Sequence, residues 1–285
     1  MKSLYFILSI FLLASCSQSE QNDDDVLPEP ESRLFAQPLL EKGIVELNED
    51  GEELIILLED QHQIPPKLQT AFIKTSNEII TISDEVNPTL TKVNVITHEV
   101  TKLPLTFSYQ YLITSEDGRL FGYRSHQQLI QQVDPQTGNV IRDIIDDIPT
   151  NLFLHNLVFS NFHNEIFAIG TPYNGVESLY RINLGTGEMK GIPFQKTNVN
   201  DLLMSDDGRL FGIVDYNKFV QMNPDNTVII KYITNENGFT NGLFNNNTDE
   251  LIGGNRYALK KINVNTGEIS TKEISRRYQY YLLTQ

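Results

Sequence analysis

Asp117-Gly118-Arg119-Leu120-Phe121-Gly122 returns unchanged as Asp207-Gly208-Arg209-Leu210-Phe211-Gly212. The phrase belongs to a longer unit that recurs six times along the chain. Its clearest mark is a polar turn between two apolar segments: Leu47-Asn48-Glu49-Asp50-Gly51, Val93-Asn94-Val95-Ile96-Thr97, Val133-Asp134-Pro135-Gln136-Thr137-Gly138, Ile182-Asn183-Leu184-Gly185-Thr186-Gly187, Met222-Asn223-Pro224-Asp225-Asn226 and Ile262-Asn263-Val264-Asn265-Thr266-Gly267. In every copy Asn or Asp directly follows an apolar residue, and these residues stand 46, 40, 49, 40 and 40 positions apart. A short polar side chain bonds its own backbone two residues on, and a following Gly or Asn tolerates positive φ, so the chain reverses tightly. Such a turn needs Asn or Asp for backbone reasons alone, and the recurring residue is read as a turn device rather than a catalytic group.

Between the turns lie runs of strand length, among them 120–123, 129–133, 165–169, 179–182, 210–214 and 228–233, rich in β-branched and aromatic residues. Beyond the N-terminal segment no window keeps apolar residues at helical spacing between caps. Units of about 40 to 50 residues with four short strands each predict an all-β fold, a six-bladed β-propeller of four-stranded blades. The first unit opens directly at Arg33-Leu34-Phe35, without the inner strand that Tyr111-Leu112-Ile113-Thr114 gives the third. The segment Gln279-Tyr280-Tyr281-Leu282-Leu283-Thr284 matches Gln110 to Thr114, so the C-terminal strand is expected to complete the N-terminal blade and close the ring.

The chain start reads as an export signal. Lys2 supplies a positive charge, Leu4 to Leu13 a short apolar core, and Leu13-Ala14-Ser15-Cys16 ends it with small residues before the only cysteine. The apolar run is too short to span a bilayer. The four closing residues resemble the bacterial lipobox, which implies cleavage before Cys16 and its modification by diacylglycerol and a further acyl chain such as palmitate. Acyl chains add about 0.8 kcal/mol per buried methylene, so several anchor a protein without a spanning segment. By similarity to bacterial lipoproteins, Ser17 in place of Asp implies an outer-membrane destination, on the periplasmic or the cell-surface side. The acidic Asp23-Asp24-Asp25 and Pro28-Glu29-Pro30 resemble the export tether of Bacteroidota surface lipoproteins. The expected organisation is a signal peptide over 1–15, a solvated acidic tether over 16–32 and the propeller over 33–285.

Composition narrows the partners. The formal charge is −15 with no basic cluster to offset it, which disfavours nucleic acid. A lone cysteine leaves no disulfide and no thiolate metal site. His62, His98, His126, His155 and His163 form no His-Glu-x-x-His pattern, and neither a Gly-x-Ser-x-Gly elbow nor a phosphate-cradling loop is present. Asn235 to Gly238 and Asn245 to Glu250 lack the spacing of a calcium loop and read as exposed turns. No cofactor, metal or catalytic residue is assigned, and a monomer is expected.

Aligning the units on Ile79, Leu120, Ile166, Leu210 and Leu251 and stepping back ten residues gives Gln69, Gln110, Asn156, Asn200 and Asn241, with Gln279 matching in the closing strand. All six are carboxamides at the start of an inner strand, where equivalent positions ring one mouth of the channel. Two readings stay open: the amides bridge adjacent blades through backbone groups, or they contact a ligand such as a polyol or a weakly held cation. Tyr109, His155, Asp201, Tyr278 and Tyr280 neighbour them, and His155 with Asp201 is the titratable pair among these.

The repeated Asp-Gly-Arg-Leu-Phe-Gly and the turn Asp134-Pro135-Gln136-Thr137-Gly138 resemble the signatures of six-bladed propellers of the NHL, SMP-30/gluconolactonase and TolB-like groups. The resemblance covers about 33–285. Gluconolactonase-like enzymes hold a divalent metal with a Glu, two Asn and an Asp. Asn156 and Asn200 match Asn positions, while Gln69, Gln110, Asn241 and Gln279 stand where carboxylates would be needed and Asp201 is displaced by one residue. The favoured expectation is therefore a lipid-anchored cell-envelope propeller that binds or scaffolds a protein, glycan or envelope partner. The alternative is a metal-assisted hydrolase or lyase working at the channel mouth.

Overall fold

The recurring Asn and Asp residues make the turns their chemistry requires. In the computed structural model Asn183 Oδ1 accepts from the backbone N–H groups of Gly185 and Thr186 at 2.9 and 3.0 Å. Asn94 and Asn263 accept the same pair of bonds, and Asp134 and Asn223 accept the first of them. Gly187 closes its turn at φ +72°, and a Cβ there would lie 2.5 Å from the Ile144 carbonyl oxygen of the preceding blade. Only glycine meets both demands.

The structure describes residues 33–38, 43–48, 52–58, 70–83, 87–173, 175–195, 198–215, 218–234, 240–255, 258–274 and 278–284. The signal peptide, Cys16, the tether, Gln69 and Asn235 to Gly238 lie outside them. Blade 1 takes β1 (Arg33–Pro38), β2 (Ile44–Leu47) and β3 (Glu53–Leu58). Blade 2 holds β4 (Thr70–Ile73), β5 (Glu78–Ser83), β6 (Thr89–Asn94) and β7 (Val100–Pro104). Blade 3 holds β8 (Tyr111–Thr114), β9 (Leu120–Arg124), β10 (Leu129–Val133) and β11 (Val140–Ile145). Blade 4 holds β12 (Leu152–Ser160), β13 (Glu165–Pro172), β14 (Ser178–Asn183) and β15 (Met189–Pro193). Blade 5 holds β16 (Val199–Met204), β17 (Leu210–Val214), β18 (Lys218–Met222) and β19 (Ile229–Thr234). Blade 6 holds β20 (Thr240–Asn245), β21 (Glu250–Asn255), β22 (Ala258–Asn263) and β23 (Ile269–Glu273). The final strand, β24 (Tyr278–Thr284), pairs antiparallel with β1 from Arg33↔Thr284 to Pro38↔Tyr278 and becomes the inner strand of blade 1.

Six antiparallel four-stranded sheets thus stand in a ring, each inner strand touching the next, with β24 between β20 and β4. The expected six-bladed propeller and its closure by the C-terminal strand are what the chain forms. The core lies between blades rather than within them. Phe121, Tyr123 and Ile130 of blade 3 pack with Leu154, Ile166 and Ile182 of blade 4, and a separate buried cluster fills each of the other five junctions. A four-stranded sheet has two apolar faces, and only a neighbour on each side removes both from water.

The repeated Asp-Gly-Arg-Leu-Phe phrase is an interblade clamp. Ser205 Oγ bonds Asp207 and accepts the Arg209 N–H at 2.9 Å, which shapes the turn before β17. Arg209 then bonds Asp207 in its own blade and Asp249 in blade 6, its guanidinium lying over the rings of Phe211 and Phe244. Arg119 repeats the arrangement with Asp117, Asn164, Phe121 and Phe159 between blades 3 and 4. Arg33 and Arg181 bridge blades 1 to 2 and 4 to 5 through Val95 and Asp225. One end of the ring is therefore laced with cations.

Candidate ligand-binding mouth between blades 4 and 5

Four of the carboxamide positions, Asn156, Asn200, Asn241 and Gln279, fall on bulges of the inner strands. Between His155↔Ile169 and Val158↔Phe167 the register of β12 shifts, leaving Asn156 and Leu157 opposite one partner residue, and Asn156 adopts left-handed φ 49°. The register of β16 shifts between Val199 and Asp201, so Asn200 is the extra residue. Asn241 in β20 and Gln279 in β24 occupy the same kind of irregularity. An inserted residue disrupts the ladder locally, and Asn is among the few side chains that tolerate the left-handed region.

The amides do different work. Asn156 Nδ2 donates to the Asn200 carbonyl oxygen across the junction of blades 4 and 5. Gln110 stays within blade 3, its Oε1 accepting from the Ser125 N–H at 2.8 Å while its own N–H donates to the Tyr123 carbonyl at 2.9 Å. Two of the neighbouring tyrosines serve the core, and the side chain of Tyr280 lies outside the described residues. Tyr109 is buried between blades 2 and 3, its ring against Gly122 and its hydroxyl donating to Gln131 Oε1 at 3.1 Å. Burial pushes that phenol up to about 12, with Arg124 opposing. Tyr278 is buried with its hydroxyl donating to Glu53 at 2.9 Å.

His155 and Asp201 stand on neighbouring inner strands, near enough for the Asp201 charge to act on the imidazole. Asp201 is buried, its Oδ1 accepting the Leu202 N–H at 3.1 Å. Burial pushes the half-buried His155 imidazole below its usual range, and the Asp201 charge acts on it in the opposite sense. Phe153 stacks on His155 with ring centroids 6.1 Å apart and remains 52% exposed. Next to it, the Tyr173 N–H donates to the Asn151 carbonyl at 2.7 Å, which continues the β12–β13 ladder and sets Tyr173 diagonally from Phe153. Tyr173 and Val176 are 81% and 64% exposed. Glu177 ties this loop to blade 5, its carboxylate accepting the Val199 N–H at 3.2 Å.

The rim therefore joins exposed aromatic and aliphatic groups to a shielded imidazole and carboxylate, an arrangement suited to apolar contact with a few directed hydrogen bonds. Among the described residues no three His, Cys, Asp or Glu side chains converge as a metal site. Asp249 and Asn245 in the amide-rich loop of blade 6 are engaged with Arg209, Asn265 and the Asn247 backbone. Sequence reasoning named His155, Asn156, Asn200 and Asp201 but not Phe153, Val176 or Glu177. The signal was the long spacing from Asp134 to Asn183: blade 4 carries the extended hairpin β12–β13, of nine and eight residues, that raises this rim.

No protein-family model and no curated protein sequence matches the chain. Among the 1129 chains of solved structures that resemble it is TolB from Acinetobacter baumannii, with a TM-score of 0.65 and 15% sequence identity, covering 89% of this chain and 66% of that one. The present chain thus spans a little under two thirds of that structure's length. The likeness is one of fold, and a propeller of this kind carries many unrelated functions.

Proposed function

We propose that the chain is a lipid-anchored cell-envelope protein, held at the outer membrane through Cys16, whose propeller binds a protein partner at the mouth between blades 4 and 5. The observation that carries this reading is that Phe153, stacked on the shielded His155, and Tyr173 and Val176, which follow the same hairpin, are all exposed. Exposed aromatics on rigid strands offer apolar contact at low entropic cost, and a polar pair behind them fixes orientation. The lipobox-like Leu13 to Cys16 and the acidic tether support envelope anchoring, and the propeller likeness to TolB is compatible with it.

A photo-cross-linking residue placed at position 173 in cells should give a discrete protein adduct, reduced by Phe153→Ser, while the same residue at position 226 on the opposite end of the ring should give none. Equal adducts at both positions, or none at 173, would sink the mouth as the binding site. Palmitate labelling that survives Cys16→Ser would sink the anchor.

A further inference from the structure

The outermost strand of a propeller blade is an open edge, and natural sheets guard such edges with charge, particularly lysine, or with proline. Five of the six outer strands here carry a cation. Lys102 and Pro104 stand in β7, Arg142 in β11, Lys190 and Pro193 in β15, Lys231 in β19 and Lys272 in β23. β3 reads Glu53-Leu54-Ile55-Ile56-Leu57-Leu58 and carries no cation at all. Leu54, Ile55 and Ile56 are 57, 40 and 50% exposed, so the strand shows apolar side chains on both faces of its sheet. Bulges at Leu54 and Leu57 do not set β3 apart, because β11 and β19 have the same pair of register shifts.

Charge identifies the occupant. The apolar run is bounded in sequence by Glu52 and Glu53 on one side and by Glu59 and Asp60 on the other. A second copy laid on β3 in either direction would set acid against acid, which cross-strand pairing penalises. The acidic stretch of this chain with Glu20, Asp23, Asp24, Asp25, Glu29 and Glu31 is disfavoured for the same reason. We infer that β3 is a docking strand to which an extended apolar segment of a partner protein, flanked by lysine or arginine, is added at the sheet edge. Main-chain hydrogen bonds and aliphatic contact hold such a segment, and Glu52 and Glu53 favour a basic residue at one of its ends. This surface lies on the outer rim of blade 1 and is separate from the mouth of blades 4 and 5.

The test uses the full chain and a fluorescent peptide of Val, Ile and Thr with a pair of lysines at each end, followed by anisotropy. Saturable binding that weakens as salt rises is expected, with Ile55→Lys lowering affinity about tenfold or more. Ile230→Lys on the guarded strand β19 should bind as wild type, and both variants should unfold at the wild-type temperature. Absent binding, salt-independent binding or equal binding by Ile55→Lys overturns the inference. Sedimentation as a dimer that Ile55→Lys disperses overturns it in favour of a second copy.

Discussion

Asn156 donates from Nδ2 to the carbonyl oxygen of Asn200, so a side chain on a bulge of blade 4 holds the bulge of blade 5. The bond joins the two strands that carry His155 and Asp201, and Asn156 contributes a left-handed backbone as well as an amide. Asn156→Gly keeps the backbone conformation and removes the bond, a loss of about 1 kcal/mol. Asn156→Ala should lose a further amount of about 1 kcal/mol for the strained φ. Urea unfolding that finds the two variants equal would show that the left-handed conformation has no energetic weight here.

Arg209 is a more direct tie between blades, since its guanidinium meets Asp249 and lies over Phe211 and Phe244. A double-mutant cycle of Arg209→Met and Asp249→Asn should give a coupling of about 1 kcal/mol that shrinks with added salt. The corresponding cycle at Arg119 and Asn164, with a neutral acceptor, should change less with salt. A coupling near zero at Arg209 would mean that the ring contacts, and not the ion pair, hold the junction.

Gly187→Ala should cost about 2 kcal/mol or more, because it adds a strained φ to a clash with the Ile144 carbonyl oxygen. Gly185→Ala in the same turn has negative φ and meets nothing closer than Asn183 Oδ1 at 3.3 Å. It should be close to neutral in thermal unfolding, and equal losses in the two variants would sink this account of the turn.

Removing residues 278–285 takes β24 from its place between β1, β20 and β4. The deletion exposes the inner edge of β1 and opens the ring, so amide exchange should accelerate in blades 2 and 6 as well as in blade 1. Exchange confined to blade 1 would show that the ring does not depend on its closure.

His155 and His163 both titrate below the usual histidine range, chiefly through burial, with Arg181 adding to the depression at His163 and Asp201 opposing it at His155. The folded state therefore binds protons more weakly than the unfolded chain. Their contribution is fully present above the ordinary value of 6.5 and is lost as pH falls below it towards the depressed folded values. Between pH 7 and pH 5 the unfolding temperature should drop, and His155→Gln should flatten part of that drop. An unchanged slope in His155→Gln would place the proton uptake elsewhere.

Much of the architecture was legible because its signals are local. An Asn or Asp at a turn bonds its own backbone wherever it occurs, and a strand-length apolar run needs a sheet to cover both faces, so period and turn chemistry together define six blades. The clasp was legible too, since Gln279 to Thr284 repeats the pattern of Gln110 to Thr114. The arginine of Asp-Gly-Arg-Leu-Phe was visible as a repeat, but its second partner was not. Asn164 and Asp249 belong to the following blade, and only the packing of one sheet on the next brings them within reach.

The carboxamide positions show the same division. Alignment found six equivalent positions, and the fold gave the described side chains unequal tasks, Gln110 closing its own hairpin and Asn156 reaching across a junction. Sequence by itself determined where the chain turns, which runs become strands and that the ends meet, because these follow from side chains acting on their own backbone and from alternating polarity. Tertiary structure alone decided that His155 faces the charge of Asp201 beside Phe153, and that β3 leaves its aliphatics in water. Both depend on which surfaces neighbouring blades and loops cover, and burial is a property of the assembled ring rather than of any segment.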